Sequence, residues 1–209
     1  MRDIGLFCGT FNPIHLGHLL MAECARDQFR LEKVLFITSA NPPHRPSGLL
    51  DKEERHEMVA AAVADNPFFE ASRLEMDREG PSYTVDTLRL VKERLGTDTR
   101  LNLIVGEDNL PYIKQWRESS EILRLCRLLV APRQFPTPNP KYGSAAGPDD
   151  GLLATASVEL MEFPLIAISA SEIRERLVRG RSIRYMVPPA VYDILIKKGH
   201  YRQATPGGV

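Results

Sequence analysis

The chain has 209 residues with 27 basic and 27 acidic side chains, so its formal net charge is zero. A hydrophobic fraction of 43% beside 26% charged residues is ordinary for a globular domain, and this length buries a core without disulfides or a structural metal. Neutrality argues against a polyanion binder, and three scattered cysteines, Cys8, Cys24 and Cys126, argue against a disulfide framework.

Met1–Phe7 lacks a long apolar signal region and opens as a strand, Ile4–Cys8. A helix follows, with Leu19, Ala22, Ala25 and Phe29 on one face, and then a second strand, Val34–Thr38. Ser39–Leu50, which contains Asn41-Pro42-Pro43-His44-Arg45-Pro46, is too rich in proline for helix or inner strand. Asp51-x-x-Glu54 resembles a capping box and predicts a helix to about Asp65. Val85, Leu88, Val91 and Leu95 form another helical stripe, stopped at Gly96. Leu101–Val105, Leu128–Ala131 and Val158–Met161 are further strands, and Gln134–Gly151, rich in Pro and Gly, is an excursion between the last two. Past Ile168 the chain turns helical through Ile173, Leu177 and Val178, then Val191, Ile194 and Leu195, and stops at Gly199. This alternation predicts an α/β fold whose parallel sheet is covered on both faces, with a ligand crevice at the strand C-termini. The longest aliphatic run, Met58–Ala64, is far short of the ~18 residues of a spanning helix. The expectation is a cytoplasmic chain with no membrane segment and no nucleic-acid partner.

Two blocks carry chemistry. Gly9-Thr10-Phe11-Asn12-Pro13-Ile14-His15-Leu16-Gly17-His18 follows the first strand directly. Gly9 lets a ligand approach the backbone, and the amides at a helix start favour anions. His15 and His18, three residues apart, share one helical face beside those donors. The second block, Ile168-Ser169-Ala170-Ser171-Glu172-Ile173-Arg174, opens another helix, with Ser169 or Ser171 as its cap and Arg174 in its first turns. A guanidinium beside free amides suits bidentate phosphate binding. Neither a Gly-x-Gly-x-x-Gly fingerprint nor a Walker A loop is present. A zinc site from Cys8, His15, His18 and Cys24 would follow no common finger spacing.

Together the blocks resemble the nucleotidyltransferases marked by Gly-Thr-Phe-x-Pro-x-His-x-Gly-His and Ile-Ser-x-Thr/Ser-x-x-Arg. Within them the chain is similar to the bacterial nicotinate-mononucleotide adenylyltransferases through Pro42-Pro43-His44-Arg45, Gly80–Leu88, and Val105-Gly106-Glu107-Asp108 followed by Trp116. The resemblance implies a Rossmann-like doubly wound sheet with a core over 1–167 and a small helical C-terminal part, 168–209, in the same domain. It implies transfer of AMP from ATP to nicotinate mononucleotide, with Mg²⁺ arriving on the ATP phosphates rather than in a protein cage. Gly9, Thr10, Phe11, His15, His18, Ser171 and Arg174 would hold the phosphates, with His15, His18 and Arg174 serving catalysis. Gly106, Asp108, Ile168 and Ser169 would border adenosine. Asn12, His44, Arg45, Tyr83, Thr84, Trp116 and Arg133 would face the mononucleotide. Asn12 stands where Asp is commoner, Arg45 where Lys is frequent, and Arg117 where an aromatic residue is often found.

Plainer readings stand beside these. Trp116 could be a core aromatic, His44 and Arg45 solvated loop residues, Asp108 a helix cap, and Tyr83 and Thr84 the opening of a helix. A sister transferase acting on nicotinamide mononucleotide or phosphopantetheine, and a non-catalytic nucleotide-binding regulator, are the rival functions. The sequence leaves open whether the chain forms a homo-oligomer. Ile168–Arg202 carries eight Lys or Arg against three Asp or Glu, so overall neutrality hides a basic C-terminal segment.

Overall fold

The computed structural model describes residues 1–43, 48–132, 156–164 and 166–202. His44, Arg45, Arg133 and the predicted excursion at 134–151 lie outside these residues.

Six strands form one sheet: β1 (Arg2–Gly9), β2 (Lys33–Thr38), β3 (Phe69–Ser72), β4 (Thr99–Gly106), β5 (Cys126–Ala131) and β6 (Val158–Leu160). Every pairing is parallel and the order is β3-β2-β1-β4-β5-β6, the doubly wound arrangement. The central strands are near-continuous apolar runs because both of their faces are buried. Their side chains alternate between two layers. In β1, Ile4 and Leu6 enter one core and Phe7 the other, and in β4 Leu101, Leu103 and Val105 oppose Ile104.

The core that holds Phe7 is closed by α1 (Leu16–Gln28), α2 (Lys52–Val63), α5 (Ala170–Val178) and α6 (Pro189–Lys197). The opposite core is closed by α3 (Thr84–Leu95), α4 (Ser119–Leu125) and a 3-10 helical stretch, Glu107–Gln115. Ile173, Leu177, Val191 and Leu195 share the first core with α1 and α2, so the C-terminal helices are built into the sheet's own interior. Among the described residues no helix is long and apolar enough to cross a membrane.

Local chemistry explains most boundaries. Asp51 caps α2, but through the Glu53 amide at 2.8 Å, while Glu54 lies 3.4 Å from His200 rather than closing the expected box. Gly96 ends α3 at φ 81°, a left-handed value that favours glycine. Ser169 is the cap of α5, accepting from the Glu172 amide at 3.1 Å. The short edge strand β3 and the helix α4 were not expected from the sequence.

Leu6 is fully buried at the centre of β1. Leu6→Ala is expected to lower unfolding stability by about 2–5 kcal/mol, read from the urea midpoint, through lost burial and a residual cavity.

Candidate active site

In this strand order the chain winds away from β1 in both directions, and the carboxyl ends of β1 and β4 flank the crevice where the direction changes. A cleft of about 170 Å³ opens there. Gly9 and Thr10 line it from β1, Ser39 from β2, Gly106 from β4, Ser82 and Thr84 from the entry to α3, and Trp116 from the end of the 3-10 stretch. A larger cavity of about 460 Å³ lies between α5 and α6 beside Leu177, Ser182 and Tyr192, but no predicted site residue borders it. Of the two, the smaller cleft is the one bordered by residues singled out in the sequence, Gly9, Thr10, Thr84, Gly106 and Trp116.

The turn after β1 is densely packed. Phe11 is buried at φ 46°, and a β-carbon on Gly9 would meet its ring at 2.9 Å, so glycine is needed there. The Phe11 ring meets His18 edge-on, with centroids 5.2 Å apart. His15 caps α1 from an extended conformation and stacks on His18 at 3.6 Å. A β-carbon at Gly17 would come within 3.1 Å of His15 Nδ1, so this second glycine makes room for the imidazole. The His15 backbone N–H donates to His18 Nδ1 at 3.2 Å. A ring that accepts at Nδ1 carries its proton on Nε2, so His18 is held as a donor through its far nitrogen.

Arg174, in the first turns of α5, donates to the Asn12 carbonyl at 2.8 Å and to the Ser171 hydroxyl at 3.1 Å. The two sequence blocks, 162 residues apart, therefore meet in space. Asn12, expected beside the substrate, engages the protein with its side chain. Its Nδ2 donates to the Gly48 carbonyl at 3.1 Å, and its Oδ1 accepts from the Leu50 amide at 3.2 Å and the Tyr201 hydroxyl at 2.5 Å. Burial pushes the Tyr201 phenol up, so it stays protonated and donates. Ile168 packs partly buried against the core that α5 closes.

On the other side of the cleft, Trp116 is half-buried and borders the core under α3. Arg117, which follows Trp116, lies 4.7 Å over the Tyr83 ring and 3.6 Å from Asp86. Tyr83 precedes α3 without a side-chain cap bond. Asp108 sits inside the first turn of the 3-10 stretch rather than at its cap, which is Gly106. Cys8 also lines the cleft, but burial pushes its thiol well up, so no thiolate is available as a nucleophile. Among the described residues no three His, Cys, Asp or Glu side chains cluster to hold a metal ion.

The chain matches the cytidylyltransferase-like family over residues 6–176. It is 38% identical over 206 residues to the probable nicotinate-nucleotide adenylyltransferase of Moorella thermoacetica, covering 98% of this chain and 94% of the relative. The corresponding Thermus thermophilus protein is 42% identical over 199 residues, covering 95% and 99%. The chain belongs to the nicotinate-nucleotide adenylyltransferase family. A likeness in fold alone reaches the Plasmodium falciparum nicotinic acid mononucleotide adenylyltransferase solved with APC, at TM-score 0.75 and 19% identity over 96% of this chain and 98% of that one.

Two buried polar groups of this adenylyltransferase family member escaped the sequence reading. Arg55 on α2 is 1% exposed and donates to the carbonyls of Thr10, Ser39, Ala40 and Leu50. Glu75, 4% exposed, lines the cleft and accepts from the Thr87 hydroxyl at 2.5 Å. Burial pushes the Glu75 carboxyl up, and the Ser82 and Thr87 hydroxyls pull it back only in part. A raised value in the fold means that ionisation costs stability as pH rises through it, while below the usual 4.5 the group is protonated folded or unfolded and costs nothing. Glu75→Gln is therefore expected to melt above the parent at neutral pH, with the gap closing as pH falls below that value. A difference in Tm that does not change with pH would contradict this origin.

Proposed function

We propose that the chain transfers AMP from ATP to nicotinate mononucleotide, releasing pyrophosphate and forming nicotinate adenine dinucleotide. The observation that carries this reading is the meeting of the two blocks. Arg174 bonds the Asn12 carbonyl in the same turn that leads into the stacked His15 and His18, and Gly9 and Thr10 at the start of that turn line the cleft bordered by Trp116 and the start of α3. Relatives about 40% identical over nearly their whole length, named for this reaction, support it.

The mononucleotide phosphate is already an anion at neutral pH and attacks the α-phosphorus of ATP without a general base. Catalysis then rests on alignment and on stabilising charge as pyrophosphate leaves. His18 donates through Nε2 and Arg174 through its guanidinium to the α- and β-phosphates, while His15 orients the triphosphate. The turn Gly9–Phe11 and Ser171 complete the phosphate side, and Gly106, Asp108, Ile168 and Ser169 border adenosine. Trp116 stacks on the pyridine, and the amides at Tyr83 and Thr84 receive its carboxylate. Mg²⁺ enters as part of the substrate, bound to ATP oxygens and water.

His18→Ala is expected to reduce turnover about 10²-fold or more without unfolding the chain, the scale of one lost charge-stabilising donor. Near-parental turnover in a folded variant would remove His18 from this role. Trp116→Ala is expected to raise KM for the mononucleotide by roughly tenfold or less, a stacking contribution on the order of 1 kcal/mol, with KM for ATP unchanged. A raised KM for ATP alone would place the tryptophan elsewhere. The reading itself is tested by pyrophosphate release with nicotinate mononucleotide, its amide and phosphopantetheine side by side. A faster rate with the amide would overturn the choice of acceptor.

A further inference from the structure

Arg55 projects from α2 into the interior and binds four backbone carbonyls there. Burying a cation is expensive, and a guanidinium suits a place where several acceptors must be held in one fixed fork. The acceptors share a location. Thr10 follows β1, Ser39 and Ala40 follow β2, and Leu50 leads into α2.

Peptide geometry gives these bonds a consequence. Among the described residues the one cis bond is Asn12–Pro13, so units 9–10 and 10–11 are trans, and in each the N–H points opposite to the C=O. The Gly9 carbonyl accepts from the Ser39 amide at 2.8 Å, which turns the Thr10 N–H away from β2. The Thr10 carbonyl accepts from Arg55 Nη1 at 2.7 Å, the same nitrogen that reaches the Ser39 carbonyl. The Phe11 N–H is thereby turned away from β2 as well. In a regular strand successive amides alternate sides. Here two in a row are turned from β2 at the turn whose Thr10 lines the crevice, and such a run of amides makes an anion-binding concavity.

We propose that Arg55 is a positioning residue for the ATP phosphates: by gripping the Thr10 carbonyl it sets the plane of the 10–11 peptide and aims the Phe11 amide into the crevice beside that of Thr10. The inference rests on ATP being the substrate, as above. Arg55 acts through the backbone, behind the turn, and its charge lies on the side from which it favours an anion at the turn's front. The fork, rather than the charge alone, is what the site uses.

Arg55→Lys keeps the charge and loses the fork. A folded variant is expected to show KM for ATP and Kd for inorganic tripolyphosphate both raised about tenfold, the size of one charge-assisted hydrogen bond, with KM for nicotinate mononucleotide within about twofold. A folded variant with a lowered Tm but unchanged ATP and tripolyphosphate affinities makes Arg55 a structural brace and overturns the proposal. Should Arg55→Lys not fold, the parent protein decides. On adding tripolyphosphate, its Thr10 and Phe11 amide resonances are expected to shift together, and an unmoved Phe11 amide overturns the proposal. Loss of the functional reading looks different, because the parent would then release no pyrophosphate with any acceptor.

Discussion

A parallel sheet buried on both faces leaves one place for polar chemistry, the edge where its strands end. The constraint is sharpest at β1, which is hydrogen-bonded to β2 on one side and to β4 on the other. Its flanks and faces are filled, so a ligand can meet it only at an end, and the cleft opens at the carboxyl end. The sequence uses that end at once. Gly9 closes the strand, and within nine residues the chain presents a turn, a helix start and two stacked imidazoles. The remaining helices matter to the site chiefly because they pin this turn.

Three segments do so, each far away in sequence. Arg55 from α2 takes the Thr10 carbonyl, Arg174 from α5 takes the Asn12 carbonyl, and Tyr201 beyond α6 takes the Asn12 side chain. The end of α6 is itself tied to α2 through Lys198 and Glu57. The overall neutrality of the chain thus conceals an uneven use of charge. Much of the basic C-terminal segment is structural: Arg176 holds the Ser182 carbonyl, Arg179 pairs with Glu175 and Arg184 lies over Tyr192. Arg174 alone among these reaches the turn after β1 through a bond the structure describes.

What was legible in the sequence follows the strength of each physical signal. β1, β2, β4 and β5 are apolar runs that only a buried strand explains, and α3 carries a clean stripe with a glycine stop. β3 escaped because Phe-Glu-Ala-Ser at a sheet edge needs few apolar residues, and α4 because two turns show little periodicity. The two motif blocks were legible as motifs, yet their meeting was not, since no local pattern encodes a contact across 162 residues. Arg55 was hidden in Lys52-Glu53-Glu54-Arg55, which reads as a solvated helix start. Its signal was there nonetheless: Arg55 lies at helical spacing from Met58, Val59 and Ala62, so a charge stands on the stripe that enters the core. Glu75 carried no such sign, for its burial comes from the tertiary closure of α3 over the cleft.

Asn12 shows why a departure from a family pattern can be read only in its surroundings. The Leu50 amide can only donate and the Gly48 carbonyl can only accept, so one end of the side chain must accept and the other must donate. The Tyr201 hydroxyl, kept protonated by burial, adds a second donor at the accepting end. An amide meets all three demands at once. An aspartate would keep both donors but set an oxygen against the Gly48 carbonyl, and would add a negative charge behind the turn proposed to receive the ATP phosphates. The asparagine joins loop, C-terminal segment and turn while leaving the field there to Arg55 and Arg174.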